Sequence, residues 1–260
     1  MTLLEAVILG IVQGLAEFLP ISSSGHLALG QYIFGIEDNN MAFNIVVHVG
    51  TLIPVVVVFR QTIWELVKKP FQKMTYLLII ATLPAAIVGV LLEDVVEAAF
   101  TTLGFLAIAF VVTGLLLVGT DRIRKNTKKS DEITYLDAAL IGVAQAVAIF
   151  PGISRSGSTI AASLARGIAR EDAAKFAFLM SIPIILGALL LQIIHIARGN
   201  VVLEDLNFVN LGAGFIAAAL SGYLAVNFLL AAIKKAKLRY FAYYVFVLAA
   251  AIGIGLLVFS

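Results

Sequence analysis

Two stretches of the chain, residues 98–120 and 206–233, contain no charged side chain at all. An uncharged apolar run of eighteen or more residues is long enough to cross the hydrocarbon core of a bilayer. In that core every backbone N–H and C=O must be satisfied internally, which leaves helices or closed barrels as the spanning structures. Four further apolar stretches, 41–59, 74–92, 176–197 and 240–259, bring the expected number of transmembrane helices to six. Composition agrees: 61% of the 260 residues are hydrophobic and 13% are charged, where a soluble domain has about 25% charged. The expected class is an all-α integral membrane protein. "MTLLEAV" at the start has no basic n-region and carries Glu5, so no secretory signal peptide is expected. The chain has no cysteine, which excludes thiol chemistry and thiolate metal sites.

Two other hydrophobic regions, 3–36 and 133–168, are interrupted near their middles by "LPISSSG" and "FPGISRSGS". Each arm is roughly 10–17 residues, about 15–25 Å as helix, or about half a bilayer and somewhat more. Such lengths suit re-entrant helix–loop–helix hairpins, whose irregular tips must be buried in protein or line a cavity.

The charges orient the spans. Arg60, Lys68, Lys69 and Lys73 follow the first; Arg122, Arg124, Lys125, Lys128 and Lys129 follow the third; Lys234, Lys235, Lys237 and Arg239 precede the last. The intervening connections carry Glu37 and Asp38, then Glu93, Asp94 and Glu97, then Arg198, Glu204 and Asp205. Basic and acidic connections alternate as six spans require. The basic ones belong in the cytoplasm, which leaves both termini outside. The first hairpin then enters from outside and the second from the cytoplasm.

An internal repeat fits that topology. "ILGIVQGLAEFLPISSSGHL" (8–27) aligns without a gap on "LIGVAQAVAIFPGISRSGST" (140–159), with eight identities in twenty at an offset of 132. Three spans separate the copies, so the second is inverted, and broken elements from the two halves meet near mid-membrane. The expected organisation is a single membrane domain, 1–260, with repeat one at 1–120 and repeat two at 133–260.

The chemistry lies in the two hairpins. Gln13 and Glu17, four apart on a helix, share a face. A carboxylate inside an apolar span costs about 2.5–3.5 kcal/mol by insertion scales and points to function. Pro20 stops the helix. Ser22, Ser23 and Ser24 then start a second half-helix, whose N-terminus favours anions. His26 supplies a ring able to move protons near neutral pH. In the second hairpin Arg155 stands among Ser154, Ser156 and Thr159. Its guanidinium can fork onto phosphate oxygens, with the next helix's positive end aimed at the same place. This is an anion site, most naturally for phosphate; a structural Arg155–Glu17 pair is compatible with it. Asn44 and His48, four apart in the first full span, read as packing or supporting residues, with lining of the cavity as the alternative. His195 and Glu5 read as structural and surface residues. "KKAK" at 234–237 suits topology and anionic lipid. Small residues in 211–222 would pack helices tightly within a subunit or across a homodimer. The chain has no Walker motif, zinc-ligand cluster or nucleic-acid patch.

"QGLAEFLPISSSGH" followed by "PGISRSGST" resembles the undecaprenyl-pyrophosphate phosphatase family, also known for bacitracin resistance, and the likeness spans the whole chain. It implies hydrolysis of a polyprenyl pyrophosphate to the monophosphate, recycling the lipid that carries envelope glycans, at a site open to the outer face. Gln13 and Glu17 match the family's first motif; Ser22, Ser23, Ser24 and His26 match its loop; Ser154, Arg155, Ser156 and Thr159 match its second motif. The resemblance also implies a divalent cation, magnesium or calcium, for which Glu17 and Gln13 are the candidate ligands. Many members carry Glu where this chain has Gln13, so Glu17 is the one carboxylate in the matched motifs. The nucleophile reads as Ser23 activated by His26 or Glu17, with attack by His26 itself or by His26-activated water as alternatives. Glu17, Ser23, His26 and Arg155 are thus the expected catalytic group. The rival class is a lipid flippase or secondary transporter, because inverted repeats with broken helices are also transporter architecture.

Overall fold

The computed structural model describes residues 1–36, 41–120, 122–123, 126–198, 207–233 and 237–259. The sequence expectations that rest on Glu37, Asp38, Arg124, Lys125, Glu204, Asp205, Lys234 and Lys235, and on the side chain of His195, lie outside the described residues. Among the described residues the elements are α1 (Leu3–Phe18), α2 (Ser23–Ile33), α3 (Met41–Val58), α4 (Arg60–Lys68), α5 (Lys73–Leu91), α6 (Glu93–Phe100), α7 (Leu103–Thr120), α8 (Tyr135–Val147), α9 (Arg155–Ala165), α10 (Arg170–Ala197), α11 (Phe208–Ala232) and α12 (Arg239–Phe259). A short 3-10 turn at Ser130–Glu132 and an isolated bridge between Lys128 and Ile168 complete them.

Among the described residues, five helices are long and apolar enough to cross a membrane: α5, α7, α10, α11 and α12. A sixth is added if α3 is taken with α4, which is bent 87° from it. The expected span at 41–59 is therefore α3, and the basic segment after it is helical rather than a loop. α4 carries Arg60 and Lys68 beside exposed Trp64 and Val67, with the Lys68 ammonium 5.1 Å from the Trp64 ring. The expected span at 98–120 is shorter than its uncharged run. Thr101 and Thr102 both turn their hydroxyls onto the Ala98 carbonyl, ending α6, and α7 begins afresh at Leu103. Such side-chain bonds compete with the helix ladder.

Both interrupted regions form helix pairs, α1–α2 and α8–α9. Their starts are alike. Thr2 and Glu5 form a capping box at α1, and Thr134 and Asp137 form one at α8. These pairs differ by the same 132 positions as the repeat. Each first arm packs on the middle long helix of the other half, α1 on α11 and α8 on α5. Glycine allows the approach in both places: a Cβ on Gly10 would lie 2.4 Å from the Gly214 carbonyl oxygen, and one on Gly142 would lie 2.6 Å from that of Ala81. α7 packs on α12 and α3 on α10. The small residues of α11 are used inside the chain, with Gly214, Ala218, Ser221 and Gly222 buried against neighbours that include Phe43, Gly14 and Phe18.

The largest core cluster joins Phe18 of α1, Leu77 of α5, Leu117 of α7, Ile160 of α9, Phe178 of α10 and Leu229 of α11. Large apolar side chains such as Leu224, Val247 and Leu257 point outward. An outward apolar surface around a buried polar centre inverts the soluble pattern and matches lipid as the solvent.

Candidate active site where the two broken helices meet

Pro20 has no amide hydrogen and cannot continue α1; the chain turns through Leu19–Ser22 and restarts as α2. Ser22 takes φ 70°, a conformation that costs a side-chain-bearing residue on the order of 1–3 kcal/mol. Three bonds hold it there. Its Oγ accepts from the Gly25 amide at 3.3 Å. Its carbonyl accepts from the His26 amide at 3.2 Å and faces His26 Nδ1 at 2.7 Å. The turn aims the next residue backwards, so that Ser23 Oγ donates to Glu17 Oε2 at 2.5 Å.

The second tip is built in parallel. Gly152, at φ 89°, makes the turn after Pro151. Thr113 of α7 staples it, donating its hydroxyl to the Gly152 carbonyl and accepting from the Ser154 amide. Ser154 caps α9 by accepting from the Gly157 amide at 3.0 Å, as Ser22 does from Gly25. Ser156 reaches across and donates to the Leu19 carbonyl at 3.0 Å, joining the tips. A Cβ on Gly25 would lie 2.9 Å from the Gly152 Cα.

The tips converge on one carboxylate. Arg155 Nη2 donates to Glu17 Oε1. Glu17 Oε2 accepts from Ser23 Oγ and from Gln13 Nε2 at 2.9 Å, and lies 3.5 Å from His48 Nε2. Glu17 is buried, and a carboxylate taken from water needs such a set of donors to stay there. Arg155 still has capacity: its Nη1 is buried with no hydrogen-bond partner. A cavity of about 330 Å³ opens onto this cluster. Its polar lining comes from Glu17, Ser22, Ser23, Ser24, Asn44, His48, Gln145 and Arg155, and Glu93 and Glu97 of α6 also face it. The rest is apolar, from Phe100, Ile149, Ile153, Ile184, Ile185 and Leu191 among others.

Glu17, Ser22, Ser23, Ser24 and Arg155 are thus gathered on the cavity. Gln13, Ser154, Ser156 and Thr159 stand behind it, bonded to Glu17, the Gly157 amide, the Leu19 carbonyl and the Arg155 carbonyl respectively. His26 does not line the cavity; its Nε2 meets the Tyr244 hydroxyl at 2.8 Å. Among the described residues, the histidine on the cavity is His48. Its Nδ1 lies 2.6 Å from the Asn44 carbonyl, while Gln31 donates to Asn44 Oδ1 at 2.7 Å. The spacing of Asn44 and His48 carried that signal only weakly, whereas Thr113, Gln31 and Tyr244 carried none. Gln145, the repeat counterpart of Gln13, was legible only through the alignment.

Among the described residues, no three of His, Cys, Asp and Glu gather as a metal cluster. One observation does suit a hard cation. Gln13 turns its amide nitrogen to Glu17, which leaves Gln13 Oε1 buried and without a hydrogen-bond partner. An unclaimed oxygen beside a carboxylate is the donor type magnesium takes.

The chain is similar to proteins of one family along nearly its whole length. The family model described as "Bacitracin resistance protein BacA" matches residues 6–251. A protein of Carboxydothermus hydrogenoformans named undecaprenyl-diphosphatase is 47% identical over 244 residues, 94% of each chain. One of Bacillus cereus named undecaprenyl-diphosphatase 3 is 43% identical over 260 residues, all of this chain and 97% of the relative. One of Rubrobacter xylanophilus named undecaprenyl-diphosphatase is 41% identical over 98% of each chain. With a family match across nearly its whole length and relatives this similar from end to end, the chain is a multi-pass membrane protein of the bacitracin resistance protein BacA family.

Proposed function

We propose that this chain hydrolyses undecaprenyl diphosphate, or a closely related polyprenyl diphosphate, to the monophosphate and inorganic phosphate. The relatives' names support the activity. The observation that carries it to particular atoms is that Ser23 Oγ from one hairpin and the Arg155 guanidinium from the other meet on the same Glu17 carboxylate, beside a cavity lined by both polar and apolar side chains. That mixed lining suits a diphosphate joined to a hydrocarbon tail.

In this reading Arg155 Nη1, which has no protein partner, and the N-termini of α2 and α9 receive the phosphates. Ser23 Oγ attacks the terminal phosphorus and passes its proton to Glu17 Oε2. The phosphoanhydride P–O bond breaks and prenyl monophosphate departs. Water then attacks the phosphoserine, its O–P bond forms as the Ser23 Oγ–P bond breaks, and Ser23 recovers its proton from Glu17. Both of the water's protons leave with the phosphate. Ser22 and Ser24 line the cavity beside the reacting hydroxyl. Ser154, Ser156 and Thr159 act by fixing the tip that presents Arg155. A divalent cation would be held by Gln13 Oε1 and Glu17 together with phosphate oxygens, replacing a donor now on Glu17, and would offset the charge of the transferring group.

The chain's two halves form an inverted repeat of hairpin plus three spans, with basic connections cytoplasmic, both termini outside and the cavity open outward. The matching cap boxes, the matching close approaches at Gly10 and Gly142, and the reciprocal packing of α1 on α11 and α8 on α5 support this arrangement.

Phosphate release from undecaprenyl diphosphate in detergent micelles tests the activity, because micelles sustain no gradient. Release by the purified chain is expected. No release, with lipid movement across liposomes instead, would make it a flippase.

A further inference from the structure

We propose that Tyr244 and His26 form a positioning clamp that holds the Ser22 turn, and that His26 is not the proton-transfer group of the site. The inference rests on the reading that Ser23 is the reacting hydroxyl. It starts from the direction of the His26 ring. Nδ1 lies 2.7 Å from the Ser22 carbonyl oxygen. A carbonyl only accepts, so Nδ1 carries the ring's hydrogen. In the neutral ring Nε2 is then the acceptor, and the Tyr244 hydroxyl donates to it at 2.8 Å. Both ring nitrogens are committed and neither faces the cavity. The ring is also fixed in its plane. It lies 8° from parallel to the Tyr244 ring with centroids 5.6 Å apart, and edge-on to Phe110 at 5.4 Å.

What the ring does hold is the carbonyl of Ser22, the one residue with a side chain among the described residues that has a positive φ. That conformation turns Ser23 Oγ towards Glu17. If the bond to the carbonyl is lost, Ser22 is free to relax towards an ordinary conformation and Ser23 swings off Glu17. Tyr244 belongs to α12, far along the chain from the hairpin, and no motif includes it. It acts through His26, and His26 acts through the backbone.

The two readings of His26 differ in what a substitution restores. Asparagine places an N–H near the position of Nδ1 but cannot exchange protons near neutral pH. Phosphate release is measured for the wild-type chain and for Tyr244→Phe, His26→Asn and His26→Ala. Tyr244→Phe is expected to lower kcat about tenfold, the effect of losing one hydrogen bond, with KM within about twofold of wild type and the kcat–pH profile unchanged in shape. His26→Ala is expected to lose at least about a hundredfold in kcat, and His26→Asn to recover most of it. Equal inactivity of His26→Asn and His26→Ala, a wild-type rate in Tyr244→Phe, or loss of a limb of the pH profile in His26→Asn would overturn the clamp.

A readout independent of turnover separates this inference from the proposed activity. The chain has three histidines, so the ¹⁵N imidazole signals of His26 can be assigned by their absence from His26→Asn. Protonated Nδ1 and accepting Nε2, the latter shifting in Tyr244→Phe, are expected even if no phosphate were released. A protonated Nε2, or a spectrum indifferent to Tyr244, would overturn the clamp whatever the activity. Absence of phosphate release from the wild-type chain would instead defeat the proposed function.

Discussion

Glu17 is the residue around which the site is organised, because a buried carboxylate must collect donors and each donor here has a second use. Ser23 offers a nucleophilic oxygen, Arg155 a phosphate fork and Gln13 an unclaimed amide oxygen. The proton of Ser23 already points at the oxygen that would accept it, so attack on phosphorus needs little reorganisation. Ser23→Ala is expected to lower kcat by at least about a hundredfold while leaving substrate affinity within a few-fold, since in the proposed mechanism the phosphates are held mainly by Arg155 and the helix ends. Initial-rate kinetics over a range of substrate concentrations check this. Retention of most of the activity would transfer the attack to water or to a histidine.

At the scale of elements, what matters is how closely the two tips approach. Gly25 faces Gly152 across the junction, and an alanine Cβ there would come within 2.7 Å of Phe110 Cζ and 2.9 Å of the Gly152 Cα. The backbone partner cannot rotate away. Gly25→Ala is therefore expected to part the tips and cut kcat at least tenfold, because a displacement of about 1 Å in a site can cost a hundredfold. It is expected to cost about 1–3 kcal/mol of stability. Kinetics beside a thermal melt separate the two effects. That each interrupted region folds as a pair of helices was legible in the sequence because proline, glycine and serine break an apolar run near its middle. The direction of each side chain at the tips was not. His26 stands within three residues of Ser23 in sequence, yet the start of a helix turns it to the far side, and His48, distant in sequence, faces the cavity. Spacing along one helix reports a shared face, but it does not say which face another helix will meet. The break between α6 and α7 was missed for a similar reason: hydropathy does not register two threonines bonding to their own helix.

For the whole molecule, apolar runs and scarce charge carried the membrane class, and a gapless alignment of two twenty-residue segments anticipated that the broken helices would meet. The sequence did not show how the second hairpin is tied to the basic segment before it. Asp137 is fully buried at the start of α8 and bonds Lys128 Nζ and Arg166 Nε at 2.7 Å each. Ser130 donates to Asp172, and Asn126 donates to the Leu164 and Ile168 carbonyls. This polar lock holds the base of α8 and α9 together, and so sets where Arg155 emerges at their tip. Asp137→Asn leaves two cations facing a neutral amide. Removing a partner from a buried pair costs about 3–5 kcal/mol, and the part exposure of Lys128 and Arg166 reduces that to about 1–3 kcal/mol here. The melting midpoint in detergent is expected to fall by several degrees. An unchanged midpoint would mean that the lock does not bear on stability.

In the proposed mechanism the halves complete one another: one hairpin brings the reacting hydroxyl and the other the phosphate clamp. Turnover of undecaprenyl diphosphate by Arg155→Lys and Arg155→Ala, compared with the wild-type chain at matched elution profile and melting midpoint, tests it most directly. Lysine keeps the charge beside Glu17 but not the two-pronged fork. Arg155→Ala is expected to lose at least about a thousandfold in phosphate release, and Arg155→Lys at least about tenfold, with both proteins folded. Near-wild-type release from a folded Arg155→Ala protein would contradict the composite site.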